Sequence, residues 1–219
     1  MGWQSFLPFF ELIAIFGLNY SAMRKFLIIF LITILSSSVV FAQKKNRASF
    51  GIKSGINFST LRLDGTGSGA WETDWKTGLV AGGFVNVQIS KRFAIQPEFI
   101  YSSMGGHLVS PGVGTDRYRI NYFSIPILAK IKICNSMSAV VGPQVDILIQ
   151  AKKYTDAGYF KVTDNFEDHD FLVTGGLEYW PLKFLCLTGR YMYGLTDIDP
   201  GSLMSMKNQG LQITVGIKL

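Results

Sequence analysis

Charge is scarce in this 219-residue chain: Asp, Glu, Lys and Arg together make up 16% of it, against about 25% in ordinary soluble domains. Cysteine is nearly absent. The two that occur, Cys134 and Cys186, form no CxxC unit and are too few for a disulfide framework. Past Gln43 there is no unbroken apolar run of the 18 or so residues that a membrane helix needs. The net charge of +6 is not gathered into one basic stretch, so nucleic acid is not expected as a partner. Histidine is limited to His107 and His169.

What the chain does have is apolar residues at 48%, with 23 glycines and 17 phenylalanines. That mix favours strands and turns. The longest apolar stretch spans residues 26–42. It follows Met23, Arg24 and Lys25 and ends in Val40, Phe41 and Ala42 before Gln43. A basic start, a short apolar core and small residues near the end describe a secretory signal peptide. The expected organisation is therefore an upstream extension over 1–22, with Met23 as initiator, a signal peptide over 23–42 and one domain over 43–219.

That domain alternates with period two in eight segments of about ten residues, the length of a tilted membrane strand. Phe50, Ile52, Ser54, Ile56 and Phe58 share one face of the first segment, opposite Lys53 and Asn57. Phe93, Ile95, Pro97, Phe99 and Tyr101 oppose Gln96 and Glu98 in the third. The last segment sets Leu211, Ile213, Val215, Ile217 and Leu219 against Gln212, Thr214 and Lys218. The connections alternate in length. Long ones are expected near 60–76, 105–119, 151–169 and 196–208, and tight ones near 90–92, 134–137 and 181–183. The expected fold is all-β, an eight-stranded antiparallel up-and-down transmembrane barrel of outer-membrane type, with both termini periplasmic.

A lipocalin-like barrel has the same period with its apolar face inward. Aromatics at segment ends favour the membrane version, because they suit interfacial girdles: Phe50, Phe58, Phe93, Tyr101, Phe171, Tyr179 and Tyr193. The polar face then becomes the lumen. Its sparse charges are nearly balanced, and eight strands leave room for little more than side chains. Glu98, Lys130, Asp146, Glu178 and Arg190 are accordingly expected to form a structural lumen network, with a narrow ion path as the alternative.

Four stretches resemble the third, fourth, fifth and seventh strands of the PorT-like outer-membrane β-barrel proteins: residues 95–102 (IQPEFIYS), 122–130 (YFSIPILAK), 141–143 (VGP) and 189–196 (GRYMYGLT). The resemblance covers 48–219. It implies an outer membrane in a Gram-negative cell, and it links one member to protein secretion. Relatives often end in an aromatic residue, where this chain has Leu219. The implied partners are outer-membrane lipid, lipopolysaccharide, the barrel-assembly machinery and envelope or secretion proteins.

Catalytic chemistry is weakly signalled. His107 near Ser103 or Ser110 would suit a lipid-modifying enzyme only if base and nucleophile came within hydrogen-bond reach. Asp164, Glu167, Asp168 and Asp170 form an acidic stretch without the spacing of a calcium loop. Residues 65–69 are a Gly-rich loop tip with no strand-to-helix context for a phosphate cradle. No cofactor or metal is expected, and Cys134 and Cys186 are expected to be free. The leading expectation is a non-enzymatic barrel with a filled lumen and loops open to surface interaction. A narrow pore and a lipid enzyme are the alternatives.

Overall fold

The structure, a computed structural model, describes residues 48–65, 72–110, 114–155, 158–163, 166–199 and 204–219. The expected signal peptide and upstream extension lie outside the described residues, as do Asp164 and most of the 65–69 loop tip. Residues Ala48–Leu219 form one compact unit.

Ten strands follow one another: β1 (Ala48–Asp64), β2 (Glu72–Asp74), β3 (Lys76–Gln88), β4 (Phe93–Ser110), β5 (Gly114–Lys132), β6 (Met137–Thr155), β7 (Gly158–Lys161), β8 (His169–Tyr179), β9 (Leu185–Gly194) and β10 (Ser205–Lys218). Eight of them close a ring in the order β1, β3, β4, β5, β6, β8, β9, β10, and every pairing is antiparallel. The ring closes where β1 meets β10, from Gly51 opposite Lys218 to Asp64 opposite Ser205. This is the expected up-and-down barrel. β2 and β7 are short ribbons outside the ring, paired with the far ends of β4 and β6.

The two ends of the barrel differ. At one, strands turn back tightly: the Ile89 and Ser90 amides donate to the Phe93 carbonyl, and those of Ile133 and Cys134 to Met137. The start of β1 and the end of β10 lie at this tight-turn end. At the other, strands run far beyond the expected ten residues. β4 has 18 residues and β5 and β6 have 19 each. Three of the expected long loops are thereby corrected. Residues 105–119 are mostly strand, with Ser110 opposite Gly114, and much of 60–76 and of 151–169 is strand as well. Polar loop-like composition misled there, because strand pairing continues outside the lipid-facing zone, where outward polar residues meet water.

The outer wall carries an apolar belt of exposed Ile52, Ile56, Leu79, Ile127, Ile213 and Val215. Phe50, Phe93 and Tyr179 edge it at the tight-turn end, and Tyr101, Phe123, Phe171 and Tyr193 edge it towards the long-strand end. Tyr101 pairs with Phe123, and Phe123 with Ile147, so the upper edge follows one level around the wall. Phe99 and Phe123 stack at 6.5 Å.

Above the belt the inside becomes apolar. Leu61, Met104, Leu108, Ile120, Ala151, Phe166, Met192, Ile198 and Met206 form one buried cluster. A β-bulge in β6 helps to produce it. Tyr122 pairs with Leu148 and Asn121 with Gln150, which leaves Ile149 without a partner of its own. One extra residue reverses side-chain parity. Below the bulge Gln144 and Asp146 face inward; above it Ala151 does, opposite Ile120.

Gly105 stands where β4 enters this cap. Its φ is +125°, and a Cβ there would lie 2.2 Å from the Tyr118 carbonyl oxygen. Gly105→Ala should cost about 1–3 kcal/mol, read as a lower urea midpoint for unfolding from lipid vesicles.

Candidate functional site

Within the belt the lumen is filled by a ladder of polar side chains from facing strands. Glu98 on β4 is fully buried. Its Oε1 accepts from Lys53 Nζ on β1 at 2.6 Å, and its Oε2 accepts from Arg190 Nη1 on β9 at 2.7 Å. Gln96 Nε2 donates to Glu98 at 2.9 Å and to Glu178 on β8 at 3.2 Å. Glu178 also pairs with Lys130 on β5 and accepts from Trp180 Nε1 at 2.6 Å. Asn86 on β3 donates to Gln96 Oε1 at 3.0 Å. One hydrogen-bonded system thus ties β1, β3, β4, β5, β8 and β9 together across the interior.

Four of the five expected residues, Glu98, Lys130, Glu178 and Arg190, meet in this system. Asp146 stands apart. It is buried, accepts from Gln144 Nε2 at 2.8 Å and makes no ion pair with a described residue. Lys53, Gln96 and Trp180 complete the system and were absent from the expected set. Lys53 was legible from its place on the polar face of the first segment, opposite Phe50 and Ile52. Trp180 was not, because it follows β8; its amide donates to the Ser136 carbonyl at 2.8 Å and continues the β6–β8 ladder, which sets the indole on the side of Glu178.

A second polar layer lies higher. Gln212 donates to Asn57 Oδ1 and Asn57 to Ser102 Oγ, both at 2.8 Å. Asn208 Nδ2 bridges Tyr122 at 2.9 Å and Asp170 at 2.8 Å, and Thr196 donates to Asp170 at 2.6 Å. Asp170 is therefore buried in the wall, whereas Glu167 and Asp168 are exposed. Among the described residues no group of three metal-ligating side chains occurs. The apolar cluster lies above this layer.

The histidines are not in loops. His107 lies within β4, opposite Asp74 and Arg117, and His169 opens β8 opposite Ile147. Ser103 is four positions from His107 along β4, about 13 Å at a strand's rise per residue, so the two are outside hydrogen-bond reach. The side chain of Ser110 lies outside the described residues. Cys134 is exposed and Cys186 buried, and both are free thiols.

Two concave regions among the described residues carry several cations. One of about 310 Å³ sits beside the β4–β5 extension, lined by Lys76, His107, Arg117, Tyr118, Arg119 and Tyr154. Burial, with Arg119 beside it, pushes the Lys76 ammonium down to about 8. Burial also raises the Tyr118 phenol. The other, of about 400 Å³, is the mouth of the lumen at the tight-turn end.

Residues 41–199 match the model of the outer membrane protein beta-barrel domain family. The chain belongs to that family. It is an integral outer-membrane barrel, and the apolar belt is its lipid-facing surface. Among solved structures it resembles neisserial surface protein A at 10% identity, over 78% of this chain and 99% of that one, with a TM-score of 0.52. Ail, the attachment invasion locus protein of Yersinia pestis, is 13% identical over 79% of this chain and 99% of that one, with a TM-score of 0.48. OprG of Pseudomonas aeruginosa is 13% identical over 79% and 96%, with a TM-score of 0.42. At these identities the likeness concerns the fold alone. No curated protein sequence is significantly similar to the chain.

Removing one partner from a buried ion cluster costs about 3–5 kcal/mol, because the others keep their desolvation penalty. Glu98→Gln should destabilise this outer-membrane barrel by that amount in urea unfolding from vesicles. Adding Lys53→Met should recover part of the loss.

Proposed function

We propose that the chain is a non-enzymatic outer-membrane barrel with a lumen sealed by its own side chains, which carries a rigid platform for surface interaction. The Lys53–Glu98–Arg190 clamp carries the reading, because it joins opposite walls across the space a channel would need. The apolar cap above it adds a second seal. The long extensions of β4, β5 and β6 with β2 and β7 are the platform. Exposed Trp75, Tyr159 and Phe160 give it apolar contact points beside outward Arg117 and Arg119. Envelope integrity or protein secretion is the process such a platform would serve. Closer kinship to the PorT-like proteins, suggested by residues 95–102 and 122–130, belongs to the same proposal.

The orientation follows outer-membrane practice, in which tight turns face the periplasm and tall loops face outward. Both termini of the barrel are then periplasmic, on the side to which a signal peptide over 23–42 would deliver the chain.

Two measurements test the reading. Purified protein in planar bilayers should give no discrete conductance steps, and reproducible steps would overturn the sealed lumen. A membrane-impermeant maleimide should leave Cys134 unlabelled on intact cells and label it after the outer membrane is permeabilised. Labelling on intact cells would reverse the orientation.

A further inference from the structure

Negative charge is missing from one end of the barrel. The tight-turn stretches 90–92, 133–136 and 180–184, the start of β1 at 48–50 and the end of β10 at 217–219 contain no Asp or Glu. They contain Lys91, Arg92, Lys183 and Lys218, with Lys132 immediately before the second turn. The described acids of the long-strand end include Asp64, Glu72, Asp74, Asp116, Glu167 and Asp168. The long-strand end carries cations as well, among them Arg62, Lys153 and Lys207, which pair with Asp64 and Asp116, so it is unbalanced positive charge that marks the tight-turn end.

A rim of lysines could serve only to meet lipid headgroups. Register argues for more. Lys132 continues the inward series Ser124, Pro126, Leu128 and Lys130 of β5, and Lys218 continues Gln212, Thr214 and Gly216 of β10. Their lipid-facing neighbours at that level are Ile131, Ile133, Ile217 and Leu219. Lys132 and Lys218, with Arg92 and Lys183 from the turns, line the lumen mouth of about 400 Å³. None of the four forms an ion pair with a described residue. The floor is built: Lys130 is held by Glu178 and lies 4.9 Å from the Trp180 ring centroid, which neutralises that acid before it can repel an anion. Neutral side chains complete the wall, with Gln88 and Asn86 on one side and Ser138 on the other.

We infer that this mouth is a binding vestibule for a phosphate-bearing anion. Four unpaired cations converge on one concavity with a neutralised floor, and their charge is compensated only by something that enters it. Lys and Arg both suit phosphate oxygens, Lys as a point charge and Arg as a fork. A free phosphorylated solute and the headgroup of an anionic phospholipid share this chemistry. The other basic concavity, at Arg117 and Arg119, lies beside Asp116, which already pairs with Lys153 at 2.7 Å, and is the less favourable rival.

The test uses the full barrel in uncharged detergent with pyrophosphate as the calorimetric probe. A parallel arm uses phosphatidylcholine nanodiscs with and without phosphatidylglycerol, read by native mass spectrometry. Wild type should bind at least one probe, more weakly as salt rises. Pyrophosphate binding points to a solute, and phosphatidylglycerol adducts alone point to a headgroup. Lys132→Gln with Lys218→Gln removes two charge-assisted contacts and should weaken binding by about tenfold or more. Lys183→Gln, in a turn outside the wall, should weaken it as well, while Lys91→Gln should not. A gel-mobility shift on boiling confirms that each variant is a closed barrel. Absence of binding to both probes would overturn the vestibule. So would loss of binding in Arg117→Gln with Arg119→Gln but not in the lysine variants.

Discussion

Every backbone amide in a hydrocarbon layer must find its partner within the protein. The ring of strands is the answer to that constraint, and the meeting of β1 with β10 is its decisive step. Until those two strands pair, each presents an open edge. Once they pair, side chains alone decide what each face does. The outward face needs only to be apolar. The inward face must fill a narrow tube and give its polar groups partners, which is why Glu98 receives two cations from two other strands and Glu178 receives Lys130 and Trp180.

The interior is layered along the axis. Cations line the tight-turn mouth, ion pairs follow, then amides and hydroxyls that enclose Asp170, then an apolar cap. Each layer suits its surroundings. Ion pairs occupy the level where lipid surrounds the wall and the local dielectric is low, so partners hold one another strongly. The apolar cap sits where the wall has left the lipid, and there the barrel resembles a soluble protein with an ordinary hydrophobic core. The bulge at Ile149 lets β6 serve both regimes, because it exchanges the inward and outward sets at the level where the surroundings change.

The strands were legible from period-two alternation and the ring from connections of alternating length, while the lipid-facing set, such as Phe50, Ile52 and Ile56 or Leu211, Ile213 and Val215, needed the aromatics at segment ends as well. The inward polar charges were legible for the same reason. Partner choice was not: Glu98 sits with Lys53 and Arg190 because of the stagger between strands, and alternation says nothing about stagger. The strand extensions were missed because Arg117, Arg119 and Lys153 look like loop residues when water is the outer solvent. The apolar cap was missed with them, since Phe166 and Ile198 reach it from segments outside the regular strands.

The height of the wall has a consequence of its own. A tilted strand crosses the hydrocarbon with about ten residues, and β5 and β6 have 19 each. The remaining residues, at a rise of about 3.3 Å each and a barrel tilt of about 40°, lift the strand tips roughly 20 Å clear of the apolar belt. A lipid headgroup layer is only about 6 Å deep on each side. Whatever meets the tips of this barrel therefore meets them at a stand-off from the bilayer, on a stiff hydrogen-bonded stalk, and need not approach the lipid surface at all.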